Sequence, residues 1–117
     1  MAEGLANHYG SDVLFASSSG VAPVSTVAPE TVGIMWEINI DISGHTPSWY
    51  QPQTVSNYDL VVNISGTRLP GKPPRELLEW AVEDPYRKPR DVYQRVRDDL
   101  ENRVMQLVLQ LRRSQKR

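Results

Sequence analysis

Hydrophobic and polar positions alternate with a period of two through Ile34, Trp36, Ile38, Ile40 and Ile42, with Met35, Glu37, Asn39, Asp41 and Ser43 between them. That rhythm predicts a strand over 32–42 with one face in a core and the other in water. Tyr58, Leu60, Val62 and Ile64 repeat it against Asp59, Val61, Asn63 and Ser65, predicting a second strand over 58–65. The connector 44–57 is too long for a tight turn and has no helical pattern for a crossover, so an antiparallel pair is expected. Two strands alone are marginal in water. A third is therefore expected, from 12–16 or from another chain.

Past residue 65 the period changes. Pro74 suits a first helical turn, Glu76 complements its positive end, and Leu77, Leu78, Trp80, Ala81 and Val82 supply an apolar side, predicting a short helix over 74–83 that Asp84-Pro85 stops. Pro89 opens the last element by the same device. Val92, Tyr93, Val96, Leu100, Val104, Leu107, Val108 and Leu111 fall on one face at a 3.6-residue period, so 89–113 reads as an amphipathic helix about 37 Å long. Asp91 with Arg95 and Asp99 with Arg103 are spaced for ion pairs along it. Met105 and Leu109 lie off the main stripe, which makes the tip apolar on more than one side. Val104, Met105, Leu107, Val108, Leu109 and Leu111 are accordingly the candidate self-association surface. The fold class expected is α+β: a small antiparallel sheet packed by the short helix and the long C-terminal one.

Residues 16–31 read ASSSGVAPVSTVAPET, with no helix or strand period. The organisation expected is a flexible Ser/Ala/Pro-rich arm over 1–31 and a single α+β domain over 32–117. At 117 residues one core is the working assumption. Absence of cysteine excludes a disulfide framework, a thiol nucleophile and a Cys-ligated metal within these residues. No apolar run approaches the roughly 20 residues that span a bilayer, and no basic stretch precedes an apolar one near the start. A cytoplasmic or other intracellular location without a membrane span is expected.

The net charge of −1 offers no general attraction for polyanions. Local attraction is another matter, since Arg112, Arg113, Lys116 and Arg117 close the chain and are candidate phosphate contacts, although Asp98, Asp99 and Glu101 interrupt the basic side upstream. Gly66 to Pro73 has the glycine and lysine spacing of a phosphate-binding loop. Pro73 stands where a metal-binding hydroxyl is needed, and Pro73 and Pro74 delete two N–H donors, so a basic structural turn is the expectation. His8 and His45 have no helical partner at metal spacing and read as loop histidines. Glu37 and Asp41 share a predicted strand face, which water satisfies as well as catalysis would. Asn63-Ile64-Ser65 matches a glycosylation acceptor by accident of composition. Trp49 and Tyr50, flanked by prolines, are candidate loop anchors for a binding surface.

No catalytic, cofactor or metal residue emerges. The expectation is a non-enzymatic structural or interaction protein, an assembly or adaptor component of the viral or phage accessory kind. It would self-associate through the C-terminal helix or a sheet edge and engage a protein partner. The alternative is a small dimeric nucleic-acid-binding regulator that uses the basic C-terminal helix.

Overall fold

The computed structural model describes residues 1–20 and 28–115. Three helices and a two-stranded sheet follow in the order α1 (Ala2–Gly10), α2 (Pro29–Trp36), β1 (Val61–Asn63), β2 (Leu77–Glu79) and α3 (Arg90–Gln115), with a 3₁₀ turn at Val55–Asn57 ahead of β1. Helix α3 supplies the spine. Val92, Val96, Leu100, Val104 and Val108 recur every four residues along it and are buried together with Leu5 of α1, Met35 of α2, and Ile40 and Ile42. Side chains four apart stack on one helical face, which is why this series forms a single seam.

Helices α1 and α2 both pack against that seam. A Cβ added at Gly10 would stand 2.7 Å from Val108 Cγ2, so the absence of a side chain sets how closely α1 approaches α3. Pro29 opens α2 at a position that needs no N–H donor. Arg97 closes it, donating from its buried guanidinium to the Ile34 carbonyl at 3.0 Å and to Glu37 at 2.9 Å. Arg90 and Gln94 hold the same Glu37 carboxylate, which straps the end of α2 to the first turns of α3.

The sheet departs from the antiparallel arrangement expected. β1 and β2 run parallel, with Val61 opposite Leu77 and Asn63 opposite Glu79. Their crossover over 64–76 has the dozen or so residues a parallel pair needs, here without a helix. Three element assignments are corrected with it. Residues 32–42 contain the end of α2 and an irregular connector, because Ile34 and Met35 are both buried, a helical pairing that strand alternation forbids. Beyond α2, Asn39 takes a left-handed φ of 63° and breaks the path, after which Ile40 and Ile42 reach the core from irregular backbone outside any strand. Residues 74–83 hold β2 in place of a helix: Leu78, Trp80 and Val82 turn inward while Leu77, Glu79 and Ala81 stay exposed, a period of two. Residues 12–16 form no strand. There the Asn7 side chain accepts from the Ala16 N–H at 2.9 Å and donates to its carbonyl at 3.0 Å.

The long C-terminal helix is present, and β1 lies within the predicted strand 58–65. The segment expected as an arm carries α1, whose Leu5 is fully buried. No helix among the described residues is long and apolar enough to cross a membrane.

Candidate functional site

In open sheets of parallel strands, ligands gather beyond the carboxyl ends of the strands, where the connecting loops converge. Two loops leave that end here, 64–74 after β1 and 80–89 after β2. The first is built around buried Asn63, whose Nδ2 donates to the Thr67 carbonyl at 2.7 Å and whose Oδ1 accepts from the Ser65 N–H at 3.0 Å and Oγ at 2.7 Å. Farther along, the Tyr50 hydroxyl donates to the Pro70 carbonyl. Gly71, at φ 107°, rests so near Pro52 that an added Cβ would lie 2.5 Å from the Pro52 carbonyl oxygen. Only glycine accepts both that backbone region and that approach. The loop is thus pinned in three places, yet Arg68 and Lys72 make no ion pair among the described residues. They line an open cleft of 890 Å³ together with Tyr50, Leu69, Glu79 and Trp80.

The second loop is a frame carrying two charges outside any ion pair among the described residues. Glu83 accepts from Arg95 at 2.8 Å and from Lys88 at 3.0 Å, and these bonds, that from Arg95 first, hold its carboxyl below the ordinary range. Arg103 donates to the Ala81 carbonyl at 3.3 Å and lies 6.0 Å over the Trp80 ring, tying the strand exit to α3. Between these anchors Asp84 accepts the Tyr86 N–H on Oδ1 at 3.0 Å, which orients the carboxylate and leaves its other oxygen outside any ion pair among the described residues. Arg87 follows at φ 60°, a left-handed conformation that a side chain bearing Cβ adopts at a cost of about 1–2 kcal/mol. Strain of that kind persists where the surroundings enforce it, and it clusters at functional loops. The Arg87 guanidinium lies 5.3 Å over the Tyr86 ring. An oriented carboxyl group and a cation three residues on in the same loop provide a proton donor together with electrostatic attraction for an anion.

The residues singled out from sequence are scattered. Val104 and Val108 are interior, at 2% and 0% exposure, while Met105, Leu107 and Leu111 are half-buried and Leu109 is exposed, so the six do not share one outer face. Arg112 is occupied by Asp12 at 2.9 Å and by the Tyr9 carbonyl at 2.9 Å. Arg113 is exposed, and Lys116 and Arg117 lie outside the described residues. Trp49 is exposed and bridges Gly20, whereas Tyr50 is committed to Pro70. His45 faces Glu3 at 3.1 Å, and His8 stacks edge-on against Tyr9. Glu37 is locked by arginines and Asp41 caps the Ser43 N–H, so no carboxylate pair forms. No group of three metal-ligating side chains occurs among the described residues. From sequence Asp84 reads only as a helix stop and Arg68 and Lys72 only as parts of a basic turn, and Arg87 is not singled out. The signal for them was Asp-Pro-Tyr-Arg set between a strand and a helix.

The model of the low molecular weight phosphotyrosine protein phosphatase family matches residues 1–70. Over 116 residues the chain is 32% identical to the glutaredoxin arsenate reductase of Synechocystis, covering 95% of this chain and 87% of that protein. It is 34% identical over 104 residues to the arsenate reductase of Staphylococcus aureus strain Newman, covering 86% and 79%. A solved arsenate reductase in its oxidized state superposes with a TM-score of 0.85 at 30% identity, over 94% of this chain and 86% of that one. The chain belongs to the low molecular weight phosphotyrosine protein phosphatase family, among its arsenate-reductase-like members. That membership corrects the expected non-enzymatic assembly or viral accessory protein, and its nucleic-acid-binding alternative. The relatives are named as reductases, and the likeness runs along most of the chain in sequence as well as in fold.

Proposed function

We propose that this chain is an oxyanion-handling enzyme of the arsenate reductase type, working at the carboxyl ends of β1 and β2, with Asp84 as proton donor and Arg87 as the cation beside it. The observation that carries the reading is the 83–89 loop: a carboxylate oriented by the Tyr86 N–H and a strained arginine, at the end of a parallel sheet in a chain of this family. None of the 117 residues is a cysteine, so the electrons for reduction come from thiols outside them. One thiol sulfur bonds to arsenic as an As–O bond breaks, and the departing oxygen leaves as water with the proton from Asp84. The proton of that first thiol restores Asp84; a second thiol bonds to the arsenic-bound sulfur, its proton passes to an arsenite oxygen, and the As–S electron pair remains on arsenic. Arsenate and two thiols become arsenite, a disulfide and water.

The test is arsenite formation from arsenate with dithiothreitol as the thiol. Asp84→Asn is expected to lower the rate by about 10²-fold without changing the melting temperature. An unchanged rate in that variant, or no arsenite above the protein-free background, contradicts the reading.

A further inference from the structure

The cleft beside the 64–74 loop is far larger than a tetrahedral oxyanion requires. At 890 Å³ it falls within the roughly 300–1,000 Å³ of sites that enclose drug-sized molecules. Its walls combine Tyr50, Leu69 and Trp80 with the cations Arg68 and Lys72, against Glu79 as the one lining carboxylate among the described residues. The 64–76 crossover carries three cations against one acid, Glu76, in a chain of net charge −1. Its third cation, Arg75, has Asp59 at 3.8 Å as its one ion-pair partner among the described residues, with both side chains over four-fifths exposed, an arrangement worth little. Arg68 and Lys72 are therefore left without an ion-pair partner among the described residues.

We infer that this cleft docks an extended, acidic and apolar peptide segment of a protein partner, its carboxylates on Arg68 and Lys72 and its apolar side chains between Tyr50 and Trp80. Two further observations favour an extended segment. Among the described residues β2 pairs with a strand on one side, and an open strand edge is a template for an added strand. The loop is also held before anything binds, by Asn63, Tyr50 and the contact of Gly71 with Pro52, so little ordering accompanies docking. The site is separate from the Asp84 and Arg87 residues assigned to chemistry.

Fluorescence anisotropy with a labelled peptide of alternating glutamate and leucine, about seven residues long, reads the interaction directly. Its lysine–leucine counterpart serves as the control. The acidic peptide is expected to bind at least about tenfold more tightly than the basic one and to lose at least about tenfold in the double variant Arg68→Glu, Lys72→Glu. On binding, the Trp80 indole resonance should move while that of exposed Trp36 stays. Equal affinity for both peptides, an unaffected double variant or a still Trp80 overturns the inference. Displacement of the peptide by inorganic arsenate at matched ionic strength also overturns it, by making the cleft the oxyanion site. A negative peptide result with arsenate reduction still dependent on Asp84 defeats the docking surface alone.

Discussion

The helical half and the strand half of this molecule are built on different terms. Around α3, side chains from α1, α2 and the 40–42 connector interlock, and Leu5, Met35 and Val108 are fully buried. Around β1 and β2, three-residue strands carry long loops, Leu77 and Tyr86 stand in solvent, and order comes from side-chain hydrogen bonds at Asn63, Tyr50 and Asp84. The first half is stabilised by volume and apolar area, the second by a few polar pins. That division suits an enzyme, in which a packed scaffold carries loops free to hold charge and strain.

The comparison breaks first at the core. Leu5→Ala is expected to destabilise the fold by about 3 kcal/mol, through lost transfer energy and the cavity left beneath α3. A denaturant midpoint corresponding to less than about 1 kcal/mol would mean that the helices are not the scaffold. A smaller effect of opposite sign is expected in the loop half. Arg87→Gly removes the left-handed strain and should raise stability by roughly 0.5–1 kcal/mol while lowering arsenate turnover. Unchanged stability with unchanged turnover would make Arg87 an ordinary turn residue.

The smallest effect is electrostatic. The Arg112 side chain holds Asp12 below the ordinary carboxylate range, and Arg95 with Lys88 does the same for Glu83. Depressed carboxyls add stability above their unfolded values and lose it as pH falls through the folded ones, so the loss lies below about pH 4. These groups are exposed, so Asp12→Asn with Glu83→Gln should flatten the acid limb of a melting curve only slightly. A large change at neutral pH would contradict surface pairing.

Legibility followed the same division. α3 was readable because its five-residue seam repeats every fourth position, and Arg103 does pair with Asp99 at 3.0 Å. Arg95 instead reaches Glu83, a partner that only the fold supplies. The isoleucines at 34, 38, 40 and 42 misled because a short helix followed by an extended connector reproduces alternation without a strand. Leu77 to Val82 misled in the other direction: apolar residues on consecutive positions look helical until burial separates Leu78, Trp80 and Val82 from their neighbours. The candidate site was least legible of all, because Asp84 and Arg87 acquire meaning only once β2 ends beside β1 and the loops share one edge.

Titration of the uniformly labelled protein with arsenate, followed through its backbone amide resonances, addresses the central claim most directly. Saturable shifts are expected at 83–89, with the 64–76 crossover and the α1–α3 seam unmoved. Shifts centred on His8 and His45, or none at arsenate concentrations that support turnover, would contradict it.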